Sequence, residues 1–435
     1  MKLYTEEQVK QIQQAILCNH KDAIMDENYC LNVTTPIELS NDGYKTTLTD
    51  NVKNEISIPM KNTLLALLLI SLIFPNCTQI DKSNIAIVKV DAKTEDSLPL
   101  STIAKSIDYI PLETCKEALL GRCGAPRFFK NGILISSDNA LYCFDPKGKY
   151  RYKISRAGKG PGEYQQISSY LIDEAQERVE IMDQPGRKLL RFRLGDGSFI
   201  EEKNPILWAQ NMDLLNESSY IFYTWGDGSV ISGGSSDWDY KIIITDRSGL
   251  TIKRKYFPGE CRLYGQYPFI KTSHGYKVHL PYNDTLYEVR NDTIVPALFV
   301  DFAGFALPKG YGYLSMDEQK QYDVNTMAYL MNAYESDKYY LFMWGYKNRV
   351  RWHLWSKDNH KWLNFKWLYD DLDGFNQYIS FKKWEDGKLV AMFNSVDITS
   401  YPNIQKEKIY QKLIDKGWVP DENSNPVIAL YNIGF

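Results

Sequence analysis

The sequence has no surplus of charge of either sign and no long basic run. It contains 51 Lys and Arg residues against 54 Asp and Glu residues, so its formal net charge is −3. Proteins that bind nucleic acids carry a basic surface that neutralises phosphate groups. The charge balance excludes that class, and we expect no nucleic-acid partner.

Long apolar segments are also missing, because no stretch approaches the roughly 20 residues that a membrane-spanning helix needs. Lys61 precedes a shorter apolar run, Leu64–Phe74. A basic residue followed by a short apolar run is typical of a signal peptide. Cys77 follows closely and resembles the cysteine of a bacterial lipobox, which is acylated after export. We therefore predict a periplasmic or outer-membrane lipoprotein of the cell envelope, attached to the membrane through a lipid at Cys77.

The position of this segment sets the boundaries that we predict along the chain. A signal peptide works at an N-terminus, so we interpret residues 1–59 as an upstream extension from a misplaced start codon, with translation beginning at Met60. The alternative is a short helix that opens on the capping box Thr5–Gln8. The predicted segments are 1–59, a signal peptide at 60–76, a linker at 77–100 after the lipidated cysteine, and a folded domain at 101–435.

Cysteines are few, and none forms a CxxC pair. After Cys77 the sequence has Cys115, Cys123, Cys143 and Cys261. Zinc ribbons and thioredoxin-like redox sites need closely spaced pairs, so both classes are excluded. Two interpretations remain open, a Cys115–Cys123 disulfide in an oxidising periplasm and unpaired buried thiols.

Catalytic signatures are absent as well. The sequence contains no GxSxG or HExxH string, so hydrolysis by either mechanism has no motif to support it. His274 and His279 flank a predicted strand at an odd spacing, which puts them on opposite faces. His353 and His360 flank another, and 371–374 resembles part of a calcium loop that we interpret as a solvated turn. We predict no catalytic residue, no metal site and no cofactor.

Aromatic residues, in contrast, are abundant. They make up 14% of the chain, including 31 Tyr and 10 Trp, and they favour strands because flat rings pack well on pleated sheets. Segments that combine a β-rich run with a polar turn recur at intervals of about 40 to 50 residues, the length of one four-stranded propeller blade. These segments are Leu141–Gly148, Leu189–Gly197, Ile242–Gly249, Thr285–Asp292 and Arg351–Asn359.

The repeat predicts an all-β fold, a six-bladed β-propeller with two short helical insertions in the later blades. The insertions are expected at Met316–Tyr334 and Ile404–Lys416. In Tyr339–Trp344 both faces of the strand are apolar, which predicts that both are covered. Propellers close their ring by pairing the two chain ends, so we expect 103–110 to share a sheet with 427–431.

Five strings follow one another along this region. They are Tyr109–Thr114, Phe144–Lys149, Gly158–Tyr164, Tyr282–Tyr287 and Asn425–Ile428. In order and spacing they resemble the hallmarks of the six-bladed β-propeller lipoproteins of Bacteroidota, relatives of the NHL-repeat propellers. The resemblance implies an exported, lipid-anchored propeller from a family whose members mostly lack an assigned activity.

The glycine-rich string Gly158–Tyr164 has two interpretations. It lacks the GxxxxGK[ST] pattern of a phosphate-binding loop, so nucleotide binding is not predicted. As a structural element it is a tight connection between blades, in which glycine supplies positive φ. As a functional element it forms a rim that contacts a ligand through Arg156, Lys159, Glu163 and Tyr164, which are our candidate site residues.

Six tryptophans between Trp344 and Trp384 allow either packing between blades or stacking on sugar rings. The function predicted from the sequence is a non-enzymatic binding or scaffold protein for a glycan, a small ligand or a partner protein. The alternative is a lyase or lactonase with a metal on the propeller axis. Converging His and carboxylate groups at the axis would distinguish the enzyme from the binding protein.

Overall fold

The computed structural model describes residues 85–91, 95–203, 209–224, 240–249, 251–258, 268–272, 275–308, 310–311 and 314–435, and the backbone of two short strands. These strands, β1 (Ala23–Met25) and β2 (Leu31–Val33), pair antiparallel within a separate unit, Met1–Asn84. The second unit is Ile85–Phe435. The predicted signal peptide, Cys77, Cys261, His274 and the helix proposed at Thr5–Gln8 lie outside the described residues, so they stay predictions.

The second unit is a six-bladed β-propeller, as predicted. Blade 1 contains β6 to β9, blade 2 β10 to β13, blade 3 β14 to β17, blade 4 β18 to β21, blade 5 β22 to β25, and blade 6 β26 to β28 with β5. Within each blade the strands pair antiparallel with their neighbours. The strands are β3 (Ala86–Lys89), β4 (Glu95–Pro99), β5 (Ala104–Pro111), β6 (Arg127–Phe129), β7 (Gly132–Ser137), β8 (Ala140–Phe144), β9 (Tyr150–Ile154), β10 (Ser169–Asp173), β11 (Arg178–Asp183), β12 (Lys188–Arg193), β13 (Phe199–Lys203), β14 (Asn211–Asn216), β15 (Ser219–Tyr223), β16 (Tyr240–Asp246), β17 (Ile252–Pro258), β18 (Phe269–Thr272), β19 (Gly275–His279), β20 (Thr285–Arg290), β21 (Thr293–Asp301), β22 (Tyr329–Glu335), β23 (Tyr339–Tyr346), β24 (Arg349–Ser356), β25 (Trp362–Tyr369), β26 (Phe381–Glu385), β27 (Lys388–Phe393) and β28 (Val427–Ile433).

The ring closes where the sequence predicts. Strand β5 pairs antiparallel with the last strand, β28, so that Ile107 lies opposite Tyr431 and Ile110 opposite Ile428. Blade 6 therefore combines strand β5, which precedes blade 1 in the sequence, with the last strand, β28. This pairing removes two sheet edges that would otherwise be open to other chains.

Two short strands before the ring add to blades 4 and 5. Strand β3 runs parallel to β21, and β4 runs parallel to β25, so each of these blades has five strands. The amide of Asn364 in β25 holds the chain shortly after β3, because its Nδ2 donates to the carbonyl oxygen of Asp91 at 2.8 Å. The interval 77–100 that we predicted as a linker therefore contributes two paired strands to the sheets within its described part.

Within the described part of the propeller, three short α-helices interrupt the later blades. They are α1 (Met316–Gln319), α2 (Ser395–Thr399) and α3 (Lys408–Asp415). Helix α3 lies inside the predicted insertion 404–416 and buries Ile409 and Leu413. The other prediction, at 316–334, was too long, because the chain from Tyr329 onwards is the first strand of blade 5. No helix among the described residues is long and apolar enough to cross a membrane.

The cores lie between neighbouring blades. Strand β23 is buried on both faces, as its sequence predicts, with Leu341 packed on the blade 6 side and Phe342 on the blade 4 side. Trp344, Trp352 and Trp384 are buried in these two clusters. Trp362 and Trp367 are exposed. Packing between blades therefore explains only part of the tryptophan cluster.

Candidate functional site in the central cavity

The glycine-rich loop connects the outermost strand of blade 1 to the innermost strand of blade 2. Tyr164 is fully buried, and its hydroxyl lies 3.0 Å from the carbonyl oxygen of Asn139 and 3.1 Å from that of Ile154. Arg156 donates from Nε to the carbonyl oxygen of Gly162 at 2.9 Å. Both candidate site residues therefore make contacts that hold the loop against blade 1.

The two remaining candidates, Lys159 and Glu163, differ in their surroundings. Lys159 is exposed, whereas Glu163 is half-buried and accepts a hydrogen bond from the backbone N–H of Gly160 at 2.8 Å. Lys188 closes the loop from the next blade by donating to the carbonyl oxygen of Gly160 at 2.9 Å. Hydrogen bonds within the loop and from Lys188 thus hold it as a connection between blades 1 and 2. A ligand contact by Arg156, Lys159, Glu163 or Tyr164 stays a prediction.

Only one glycine of this loop needs positive φ. Gly162 has φ of +69°, and a Cβ there would lie 3.3 Å from the ring of Phe199. Gly158 has no positive φ, but a Cβ would lie 2.0 Å from the Glu163 carboxylate, and at Gly160 the corresponding distance is 3.0 Å. Our conformational argument therefore holds for Gly162. At Gly158 and Gly160 the restriction comes from the adjacent carboxylate.

A large cavity lies on the propeller axis, away from this loop. Its volume is about 1200 Å³, and the innermost strand of every blade contributes to its wall. One residue from each blade illustrates this, namely Arg127, Tyr170, Asp213, Phe269, Tyr334 and Trp384. None of the four candidate residues lines it. Small-molecule sites in proteins are concave spaces of roughly 300 to 1000 Å³, so the cavity is large enough for a ligand.

The wall of the cavity combines aromatic rings with charged groups. This mixture offers flat apolar faces together with hydrogen-bonding groups of both signs. The aromatic lining residues are Phe128, Tyr170, Phe269, Tyr334, Tyr339, Trp352, Tyr378, Phe381 and Trp384. The charged lining residues are Arg127, Glu174, Asp213, Lys271, Glu335, Asp337, Lys338, Lys382, Lys383, Glu385, Asp386 and Lys388.

Several of these charges are occupied by partners in the protein. Glu335 is buried and accepts from the ammonium groups of Lys277 and Lys357, each at 2.7 Å. Lys383 and Glu385 form an ion pair with each other. Lys271, Lys338 and Lys382 are exposed and form no ion pair within the described part of the chain. No carboxylate that the structure describes neutralises these three ammonium groups, so each can contact a polar or anionic ligand.

The described histidines do not meet at the axis. His279 is in β19 of blade 4, where Nε2 lies 3.0 Å from the carbonyl oxygen of Asn283. His353 is in β24 of blade 5, where Nδ1 lies 2.6 Å from Oδ1 of Asn364. Burial lowers the pKa of both imidazoles to about 4, so both are neutral at neutral pH. Among the residues that the structure describes, no group of three or more His, Cys, Asp or Glu could hold a metal ion.

The turn at 371–374 is solvated only in part. Asp371 is exposed and accepts from the backbone N–H of Ser101 at 2.9 Å. Asp373 is buried, and its Oδ2 accepts from Lys412 at 2.7 Å and from the hydroxyl of Tyr109 at 3.1 Å. Our interpretation as a solvated turn was therefore wrong for Asp373, because its carboxylate is buried in an ion pair with Lys412 of helix α3.

The described cysteines are free thiols. Cys115 and Cys123 are half-buried and Cys143 is fully buried, which agrees with the unpaired interpretation. Burial raises the pKa of Cys123 and of Cys143 to about 11, so both stay protonated at neutral pH. Neither has the thiolate character of a reactive cysteine.

Fold and cavity together define a six-bladed β-propeller with a cavity on its axis. The chain belongs to the family called Domain of unknown function (DUF4934), whose model matches residues 83–432. No curated protein gives a significant match.

Solved structures resemble this fold at low sequence identity. A "Putative exported protein" of Bacteroides fragilis is 19% identical with a TM-score of 0.62, covering 80% of this chain and 100% of its own. A member of the DUF4221 family from Bacteroides vulgatus is 9% identical with a TM-score of 0.45, covering 75% of this chain and 96% of its own. The first likeness supports the propeller fold, and at this identity it supports the fold alone.

Proposed function

We propose that the protein is an exported, lipid-anchored propeller that binds a ligand in its axial cavity and performs no chemistry on it. The observation that carries the proposal is the cavity itself, which has aromatic rings and unpaired ammonium groups in one wall. The ligand classes that fit this lining are a glycan, another small polar molecule and a segment of a partner protein. No cofactor is part of the proposal.

The cellular address in this proposal comes from the sequence. The apolar run Leu64–Phe74 has the length of a signal-peptide core, and Cys77 follows it at the position of a lipobox cysteine. The name of the Bacteroides fragilis protein, whose fold is similar, agrees with export. The relationship to the propeller lipoproteins of Bacteroidota belongs to the same proposal.

A chain that begins at Met60 is expected to be exported and to incorporate a labelled fatty acid. Cys77→Ala should abolish the incorporation, because the acylated group is the thiol of that residue. Cys115→Ala is the matched control and should be acylated like the wild type, since Cys115 belongs to the folded propeller. Metabolic labelling followed by cell fractionation measures both results. Retention of the wild-type chain in the cytoplasm would contradict the anchor.

Ligand binding is expected to depend on free space in the cavity. Ser380 lines the cavity and is half-buried, so Ser380→Trp should occupy the part of the cavity beside Tyr378 and Lys382, whereas Ser155→Trp places the same ring on an exposed residue outside it. The wild type is screened by thermal shift against amino acids, peptides and oligosaccharides. A ligand at 100 times its Kd stabilises the folded state by about 2.7 kcal/mol. This shift should persist in Ser155→Trp and disappear in Ser380→Trp.

Two outcomes of this screen count against the cavity. A ligand that stabilises both tryptophan variants equally does not bind on the Ser380 side of the cavity. A screen in which no compound of any class stabilises the wild type contradicts the proposed function. Circular dichroism of both variants establishes beforehand that they fold like the wild type.

A further inference from the structure

Two exposed aromatic side chains meet between blades 5 and 6. Trp367 is in β25 and is 36% exposed, and Tyr378 is in the connection to blade 6 and is 47% exposed. Their ring centroids are 5.7 Å apart and their planes are inclined at 41°. Tyr378 also lines the axial cavity, whereas Trp367 lies next to it outside the lining. A pair of open aromatic faces is therefore available at the edge of the candidate site.

Tyr378 has a buried aromatic residue beside it. Its side chain lies beside that of Trp352. Trp352 is buried and packs edge-on against Phe381, with ring centroids 5.3 Å apart. The tyrosine ring therefore has packed neighbours on two sides, Trp352 beside it and Trp367 in ring contact with it.

Polar groups lie beside this aromatic pair. Ser380 and Lys382 follow Tyr378 closely in the chain and line the same cavity. Nζ of Lys382 is 3.3 Å from the hydroxyl oxygen of Ser380, and Lys382 forms no ion pair within the described residues. The site therefore offers a flat apolar surface with a hydroxyl and an ammonium group at its side.

We propose that Tyr378 and Trp367 form a platform for a sugar ring, so that the ligand of the axial cavity is a carbohydrate. A pyranose has an apolar C–H face, which stacks on an aromatic ring, and a rim of hydroxyl groups, which Ser380 and Lys382 can bind. A purely apolar ligand would bury Lys382 without a partner, and burying an unpaired charge is costly. This inference rests on the proposed function, because it names the ligand class of the same cavity.

The platform is tested by isothermal titration of the full chain with hexasaccharides of glucose, xylose, mannose and galacturonic acid. At least one probe is expected to bind, and Tyr378→Ala should raise its Kd by about tenfold, the loss expected for one aromatic stacking contact. Tyr378→Phe keeps the ring and should change Kd by about twofold or less. Tyr369→Ala removes another exposed aromatic side chain of the same strand, which is 41% exposed, does not line the cavity and is not part of the aromatic pair, and it should leave Kd unchanged.

The outcomes separate this inference from the function on which it rests. One outcome is that no hexasaccharide binds while a ligand of another class binds to the wild type and not to Ser380→Trp. In that case the inference of a carbohydrate ligand is wrong and the proposed binding function of the cavity stands. If a hexasaccharide binds equally well to Tyr378→Ala and to the wild type, the platform is wrong. If no ligand of any class binds, the proposed function fails together with the inference.

Discussion

A chain that ends at Asn425 is expected to lose its cooperative fold and to aggregate. The truncation removes β28, which pairs with β27 on one side and with β5 on the other. Val427, Ile428 and Tyr431 are buried, and burying three such side chains stabilises the fold by roughly 5 to 9 kcal/mol. The stability of a whole domain is about 5 to 15 kcal/mol, so this loss alone is comparable to the total.

Size-exclusion chromatography and calorimetric melting measure the effect of the truncation. A chain that ends at Ile433 is the control, because it keeps every residue of β28 and should melt cooperatively as a monomer. A soluble, cooperatively folded chain that ends at Asn425 would contradict closure of the ring through blade 6.

Glu180→Ala is expected to destabilise the protein by about 3 to 5 kcal/mol, the usual cost of breaking a buried ion pair. Glu180 is fully buried in blade 2, and its Oε1 lies 2.7 Å from Arg247 of blade 3 and 3.3 Å from Nε of Arg191. The hydroxyl of Tyr220 also donates to this carboxylate. Removing it leaves the guanidinium of Arg191 buried with less compensation, and it disconnects blades 2 and 3.

The control for this substitution is Glu201→Ala. Glu201 pairs with the same arginine at 2.5 Å, but its side chain is 44% exposed, so its loss should cost about 1 kcal/mol or less. Urea denaturation of the two variants gives both free energies of unfolding. Equal losses for Glu180→Ala and Glu201→Ala would show that burial of the carboxylate is not what makes the cluster stabilising.

Much of the fold is predictable because strand-and-turn segments repeat. Each blade must cover both faces of its middle strands, so segments such as Tyr339–Trp344 carry apolar residues at both parities. Ring closure follows from the need to pair the terminal strands. The predicted helical insertion was wrong at Tyr329–Glu335, which forms strand β22. A short apolar run fits a helix and a strand equally well, and only tertiary packing decides between them.

The edge strands β3 and β4 escaped prediction for a different reason. They are short, and they pair with β21 and β25, which lie far along the chain. No local pattern marks a strand whose stability comes from a distant partner. The segment before the ring therefore resembled a linker.

The cavity residues could not be predicted from motifs. Tyr378, Ser380 and Lys382 form no recognisable string, and they become neighbours of a common space only when six blades surround an axis. The glycine-rich loop had the most conspicuous string, and it serves to join blades 1 and 2. The strand order within each blade could have indicated them, because most cavity residues lie on or beside the first strand of a blade.

The early strands of the propeller also determine the order in which the chain can fold. Ala86 pairs with Leu298, Ser97 with Trp367 and Ile107 with Tyr431. Contacts between residues so distant in sequence raise the contact order and slow folding, because the entropy of closing the loop is lost before the contact forms. During synthesis the first strands of the propeller leave the ribosome long before their partners exist. Each of them stays unpaired until its partner has been synthesised, and β5 completes blade 6 only after β28 has been made.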